Sequence, residues 1–267
     1  MPVASISLDL EPDFAGWLPA SYTGWDPARV EALMSLLERY GAPLTVFVVA
    51  QSLTARPEVI TLFREHGAEF HLHSFSHDLA EPDSAREIER GSECFAEVFG
   101  QRPVGYRAPQ GLISPDGWRR LEAAGFQFDS SLFPSFWPHP RYLRFPRAPF
   151  RPAGTSLLEL PIGTFAPHRL IVSLSWINLL GWPAYRSLMA TSLWPEPLVF
   201  DMHLHDLWDV PSYADLRPPM RWIYARDRTR GLGNLERFLK LVKSRGYSFS
   251  TLGRLSRELQ RERGAAA

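Results

Sequence analysis

Apolar residues along this chain recur with two periods, two and about 3.6, and the switches between them mark about seven strand–helix units. Val3 to Leu8 reads as a strand. Asp26 and Pro27 then open a helix whose Val30, Leu33, Met34 and Leu37 recur at i, i+3, i+4 and i+7, and Gly41 stops it. Leu44 to Val49 is a β-branched apolar run, which predicts a strand covered on both faces. Pro57 to His66 predicts a second helix ended by Gly67, Ala68 to His71 a strand, and Ser84 to Phe99 a third helix. Val104 to Arg107 is extended, Ser114 and Pro115 cap a helix terminated at Gly125, and Phe126 to Ser130 returns as a strand. Leu157 to Pro161 and Leu198 to His203 read as further strands. Asn234 to Ser244, with Leu235, Phe238, Leu239 and Val242 on one side, is a helix. Tyr247 to Thr251 is the last strand before a charged helix and an Ala tail.

Strands that alternate with helices imply a parallel sheet. With no Gly/Ser-rich linker and no internal repeat, the 267 residues predict a single α/β domain over 1–267, a closed or nearly closed barrel. Two stretches break the alternation. Phe133 to Pro152 is dense in Pro, Arg and aromatics and predicts a long surface loop near the site. An apolar insertion at about 165–195 holds Leu170 to Leu193 with Trp176, Trp182 and, just beyond, Trp194. It predicts a core-packed helical wall, with peripheral contact to a membrane surface through 170–194 as the alternative.

Composition narrows the partners. The chain is 45% hydrophobic and 22% charged, with 29 basic and 29 acidic residues, so no basic excess is available to hold a nucleic acid. The single cysteine, Cys94, excludes an internal disulfide framework and fits a reducing compartment. Met1 to Asp9 has neither the charged nor the apolar region of a signal peptide. No stretch reaches about 18 uninterrupted apolar residues, which argues against a membrane span. These features predict a cytoplasmic protein, with peripheral contact at the inner membrane surface as the alternative.

The chemistry concentrates around Glu69 to Asp78, where His71, His73 and His77 fall within seven residues. Neutral imidazole is the commonest protein ligand of divalent transition metals, and His73 and His77 could meet one ion if the backbone between them were one helical turn. His71 shares a strand face with His73 and could reach the same site. Two histidines satisfied by backbone carbonyls remain the bland alternative. In a parallel β/α barrel, chemistry sits after the strands' C-terminal ends. Asp9 and Glu11, His73 and His77, Arg107, Asp129, and Asp201, His203 and His205 all fall there. Two imidazoles and one carboxylate leave a coordination position for water, and further carboxylate and imidazole groups could move protons.

At this point the motifs resemble those of the polysaccharide deacetylases, the NodB-homology group or carbohydrate esterase family 4, over about residues 3 to 255. Ser7-Leu8-Asp9-Leu10-Glu11 resembles the first motif, and the likeness implies Asp9 as catalytic base and Glu11 as metal-binding carboxylate. His73-Ser74-Phe75-Ser76-His77 is similar to the family's H-S/T-x-x-H and implies that both histidines are ligands. Tyr106-Arg107-Ala108-Pro109 resembles the third motif, implying that Arg107 pairs with the base and that Gln110 offers a backbone N–H to the oxyanion. Phe128-Asp129-Ser130-Ser131 resembles the fourth, in which the aspartate orients and tunes the catalytic histidine. Phe200-Asp201-Met202-His203 looks like the last, implying His203 as the acid.

The resemblance implies a distorted (β/α)7 barrel of the NodB/glycoside hydrolase-deacetylase type. Its expected cofactor is a divalent metal ion, zinc first, and its expected reaction is removal of an N-acetyl or N-formyl group from an amino sugar that is free, polymeric or lipid-linked. An allantoinase-like amidohydrolase and a catalytically silent carbohydrate-binding relative share the fold and stay as alternatives. Three departures accompany the match. One residue separates Asp9 from Glu11, where the family commonly has adjacent aspartates, and Asp13 competes as ligand. His205 competes with His203 as acid. The Trp usual in the fourth motif is absent.

Overall fold

The computed structural model describes residues 1–137, 140–227 and 229–265. Its first half alternates as expected: β1 (Val3–Leu10), α1 (Pro27–Tyr40), β2 (Leu44–Val48), α2 (Pro57–Glu65), β3 (Glu69–Leu72), α3 (Ala85–Phe99), β4 (Gly105–Tyr106), α4 (Pro115–Ala123) and β5 (Phe128–Asp129). β6 (Leu158–Glu159), β7 (Thr164–Phe165), β8 (Leu170–Ile171), α5 (Leu174–Leu180) and α6 (Trp182–Ala190) follow. The chain ends with β9 (Leu198–His203), α7 (Leu204–Leu207), α8 (Met220–Tyr224), α9 (Gly231–Ser244), β10 (Ser248–Phe249) and α10 (Leu252–Ala265).

Local chemistry explains the boundaries. The Asp26 carboxylate accepts from the N–H groups of Ala28 and Arg29, Pro27 needs no donor at the first helical position, and Gly41 ends α1 at φ 64°. Ser84 and Ser114 cap α3 and α4 in the same way.

The principal sheet is parallel, in the order β10-β1-β2-β3-β4-β5-β6, with β9 also on β1. β6 and β9 share no ladder among the described residues. The segment between them bridges the gap: Gly163 N–H donates to Val199 O (2.8 Å) and Asp201 N–H to Val172 O (3.2 Å). The sheet thus curls into a nearly closed barrel of the expected (β/α)7 type.

Strand pleating sorts side chains onto two faces. Ala4, Ile6, Leu8 and Leu10 with Leu44, Val46 and Val48 join the large core under the helices. Phe47, Phe128, Leu158, Leu160, Ile162 and Val199 form a separate cluster inside the barrel. Asp9 therefore emerges at the barrel mouth, after Ser5 and Ser7 on the same face.

The apolar insertion is a structural wall. Trp176, Trp182, Trp194, Leu180 and Leu188 pack, partly buried, against the large core, as the core-packed reading of this segment expects. No helix among the described residues is long and apolar enough to cross a membrane. The 133–152 loop does lie by the site, holding Tyr142 buried with its hydroxyl on Gly111 O (2.8 Å), though Pro138 and His139 lie outside the described residues.

Candidate metal and active site

Three side chains converge at the mouth of the barrel. Glu11 Oε2 lies 2.7 Å from His77 Nε2 and 3.5 Å from His73 Nε2, and all three residues are buried. β1 delivers Glu11, since Asp9 and Glu11 are two residues apart and share a face. His73 follows β3, and its Nδ1 lies 2.8 Å from Arg107 O, which fixes the tautomer with Nε2 free to ligate. Burial would raise the Glu11 carboxyl, but the His77 charge and hydrogen bonds from His73 and His77 outweigh it and hold Glu11 well below the usual range.

The loop joining the two histidines is not a helical turn. Ser74 (φ 61°) and His77 (φ 62°) both adopt left-handed backbone, and His77 N–H donates to Ser74 Oγ (3.0 Å). Glu87 of α3 holds this shape, accepting from Phe75 N–H (3.0 Å), Ser76 N–H (2.8 Å) and the Ser76 hydroxyl (2.8 Å). No feature of the loop's own sequence points to Glu87, which sits ten residues beyond His77. His71 faces the barrel interior with His73 but stays lower, against the rings of Phe47 (5.7 Å) and Phe128 (4.8 Å), and does not join the cluster. Asp13 is also occupied elsewhere. Its carboxylate accepts from Gly24 N–H (3.0 Å) and the hydroxyls of Thr23 (2.7 Å) and Ser212 (2.9 Å), which closes the loop after β1 and corrects its candidacy as ligand.

Arg107, 1% exposed, organises the second half of the site. Its Nη1 donates to Asp9 Oδ1 (2.8 Å) and to Asp201 Oδ1 (2.9 Å), while Nε and Nη2 reach Ser130 O and Oγ. The guanidinium lies 4.2 Å over the Phe47 ring, which floors it. One cation between two carboxylates leaves an excess negative charge. Burial and the Asp9 charge push the Asp201 carboxyl up to about 7, against the pull of Arg107 and His203.

Asp129 does not reach this cluster or partner His203. Phe128 turns into the barrel, so Asp129 points the other way, toward α4, where Trp118 Nε1 (2.8 Å) and the Ser131 hydroxyl (2.6 Å) donate to it. There it shares the core with Glu159, its register partner on β6, and burial raises both carboxyls. The carboxylate on His203 is Asp206. Its Oδ2 lies 3.0 Å from His203 Nδ1 and accepts the His203 backbone N–H (2.9 Å) and the Ser175 hydroxyl (2.7 Å), forming the capping box of α7. The i, i+3 spacing of His203 and Asp206 was the available signal.

His203 Nε2 faces the cluster, 3.9 Å from Glu11 Oε1. Burial works against its charge, but the Asp206 hydrogen bond and the charges of Glu11, Asp206 and Asp201 hold it protonated well above the usual histidine range. His205 stacks on it at 4.9 Å and behaves oppositely. Its Nδ1 lies 3.5 Å from the Phe14 N–H, Tyr224 meets the ring edge-on, and burial lowers its pKa. A ring nitrogen that accepts a backbone N–H is unprotonated, so of the two histidines only His203 is set to be doubly protonated.

Above these groups opens a cavity of about 360 Å³ lined by Asp9, Glu11, His73, His77, Asp201 and His203 at its floor. Gln110 is on its wall in a left-handed conformation (φ 51°, ψ 20°), which is costly for a residue with a Cβ and is characteristic of constrained functional loops.

A family model described as "Polysaccharide deacetylase" matches residues 20–128, a span that includes His73, His77 and Arg107. A peptidoglycan deacetylase of Helicobacter pylori is 25% identical over 227 residues, covering 78% of this chain and 65% of its own. A peptidoglycan deacetylase-like protein of Gibberella zeae is 32% identical over 109 residues, covering 39% of this chain and 32% of its own. The chain thus spans 32% and 65% of the lengths of these two relatives. The structure of a probable polysaccharide deacetylase from Pseudomonas aeruginosa PAO1 superposes with a TM-score of 0.63 at 20% identity, covering 97% of this chain and 91% of that one. The family model matches residues 20–128 and the solved deacetylase shares the fold, so the chain is similar to the polysaccharide deacetylases in that segment and in its architecture.

Proposed function

We propose that this protein is a metal-dependent amide hydrolase that removes the N-acetyl group of an amino sugar. The observation that carries the reading is the convergence of Glu11, His73 and His77, whose ligating atoms lie within 4.8 Å of one another at the floor of an accessible cavity. The donor set fits a divalent ion such as zinc: two imidazoles and one carboxylate, with His73 already oriented through Nδ1. When bound, the ion supplies Lewis acidity at the amide carbonyl and a more acidic water.

The remaining roles fall to the chain's own groups. Asp9, oriented by Arg107 Nη1 at 2.8 Å, takes the proton of the attacking water as the base. His203, oriented and charged by Asp206, gives its Nε2 proton to the departing sugar amine. Gln110 presents its backbone N–H toward the developing oxyanion from its strained turn. Asp201 accepts from the same Nη1 as Asp9, and Ser130 takes Nε and Nη2, which together keep the guanidinium oriented on Asp9.

The test is metal content and acetate release measured together on N-acetylated free, polymeric and polyprenyl-linked sugars. His73→Ala should lose both the metal and turnover. Asp9→Asn should retain the metal and lose roughly 10²–10⁴ in kcat, the usual contribution of a general base. A fully active Asp9→Asn enzyme would remove the base from this scheme.

A further inference from the structure

The cavity above the catalytic floor is walled largely by carbon. Ile171 precedes α5, Leu179 lies on it, and Met220 and Ile223 come from α8, with the rings of Phe14, Trp176 and Tyr224 between them. Leu179, Met220 and Ile223 are only partly buried although apolar, so this wall faces solvent until something covers it. An unsubstituted amino sugar suits it poorly. Its hydroxyls would lose water against Leu179, Met220 and Ile223, which offer no donor or acceptor, an expensive exchange. The polar Ser175, Asn178 and Arg226 of the lining already bond Asp206 and Leu179 O. Aromatic faces can stack on the C–H face of a sugar, but Leu, Ile and Met present no such plane. Their complement is an aliphatic chain.

Resting on the hydrolase reading above, we propose that the substrate is an N-acylated amino sugar carrying an aliphatic chain of several carbons. The amide sits over Glu11, His73 and His77, and the chain lies against Leu179, Met220 and Ile223. The wall is continuous with the catalytic floor: Tyr224 contacts His205, which stacks on His203, so a chain leaving the sugar meets it without crossing open solvent. At the outer rim Trp17 and Trp137, 48% and 51% exposed, extend the apolar surface outward. The chain's chemistry is the same whether it is joined as the N-acyl group or as the aglycone.

Calorimetry on the zinc-loaded full chain in the Asp9→Asn background, below micellar concentrations, separates these. The probes are methyl N-acetylglucosaminide, octyl N-acetylglucosaminide and N-octanoylglucosamine. At least one of the two octyl probes should bind about tenfold or more tighter than the methyl glycoside, and whichever does so identifies the point of attachment. Ile223→Asn should bring that ratio toward one. Equal affinity for all three probes overturns the proposal, as does a preference that Ile223→Asn leaves intact. Acetate or octanoate release by the enzyme with Asp9 restored reports on the hydrolase reading separately. Chain-dependent binding without turnover keeps the cavity assignment and removes the reaction, and turnover without chain-dependent binding does the reverse.

Discussion

Asp206→Asn isolates the group that tunes the proposed acid. The wild-type carboxylate accepts from His203 Nδ1 at 3.0 Å, from the His203 backbone at 2.9 Å and from Ser175 at 2.7 Å, all through Oδ2. Asparagine keeps an acceptor oxygen of the same size there, so the imidazole stays oriented while the charge is lost. A hydrogen bond to a charged partner is worth about 1.5–3 kcal/mol, which is roughly one to two decades in the protonation equilibrium. The sign follows from the raised pKa of His203. The acid is protonated below that pKa, and activity depending on it is lost as pH rises through it. Asp206→Asn should therefore shift the alkaline limb of kcat/KM to lower pH and reduce activity above the limb by roughly 10- to 100-fold, with the lower-pH plateau little changed. Glu11 also raises His203 and is a proposed metal ligand, so wild type and variant are compared at equal metal content. Asp129→Asn is the control, since Asp129 faces Trp118 on the far side of β5. An alkaline limb that moves in Asp129→Asn and not in Asp206→Asn would refute the assignment.

Other perturbations follow from the same contacts. Glu87→Ala frees Phe75, Ser76 and the loop between the histidines, and zinc affinity measured against a chelating dye should fall about 10- to 100-fold. Asp13→Ala should cost more than about 2 kcal/mol in urea unfolding while leaving zinc content unchanged, and loss of zinc would return Asp13 to the ligand set. Glu159 is raised well above the usual carboxylate range by burial and by Asp129, so the folded chain holds a proton that the unfolded chain releases, and stability falls as pH rises from the unfolded value through the folded one. Glu159→Gln should leave Tm unchanged near pH 4 and raise it by a few degrees at pH 8. Equal melting at both pH values would deny the buried pair its effect.

Much of the barrel could be read along the chain because its long elements obey their periods. α1 was bounded by Asp26 and Gly41, β1 showed alternation of apolar residues with Ser5, Ser7 and Asp9, and β2 and β9 were short, mostly apolar runs. The facing of short strands could not be read in the same way. β5 is two residues long, so no alternation shows which of Phe128 and Asp129 turns inward, and motif position alone pointed the wrong one at His203. Ser130, one residue on, is the one that reaches Arg107. His203 was visible as a strand end, but the turn of helix starting there brings Asp206 back onto it, and a strand reading has no place for that return. Likewise the spacing of His73 and His77 is compatible with a helical turn, and it takes the carboxylate of a different element, Glu87, to select the left-handed loop instead.

The separation of Asp9 from Glu11 has a physical rationale in the pleat of β1. Adjacent residues on a strand point to opposite faces, so neighbouring carboxylates can share a site only where the strand has ended and the backbone turns. Here β1 stays paired with β2 through Leu10 and with β9 through Asp9, so the strand is still regular at the site. Leu10 takes the helix-facing position and is fully buried, which anchors the strand end in the large core. Asp9 and Glu11 then both project to the barrel mouth, one against Arg107 and the other between His73 and His77. Glutamate's extra methylene carries its carboxylate to 2.7 Å from His77, while Asp9 stays on Arg107 at 2.8 Å, so the two acidic groups are offset toward different partners. That offset separates the proposed base from the proposed ligand carboxylate, and it predicts that Glu11→Asp will pull the carboxylate away from His77, weakening zinc binding more than it alters the Asp9 to Arg107 pair.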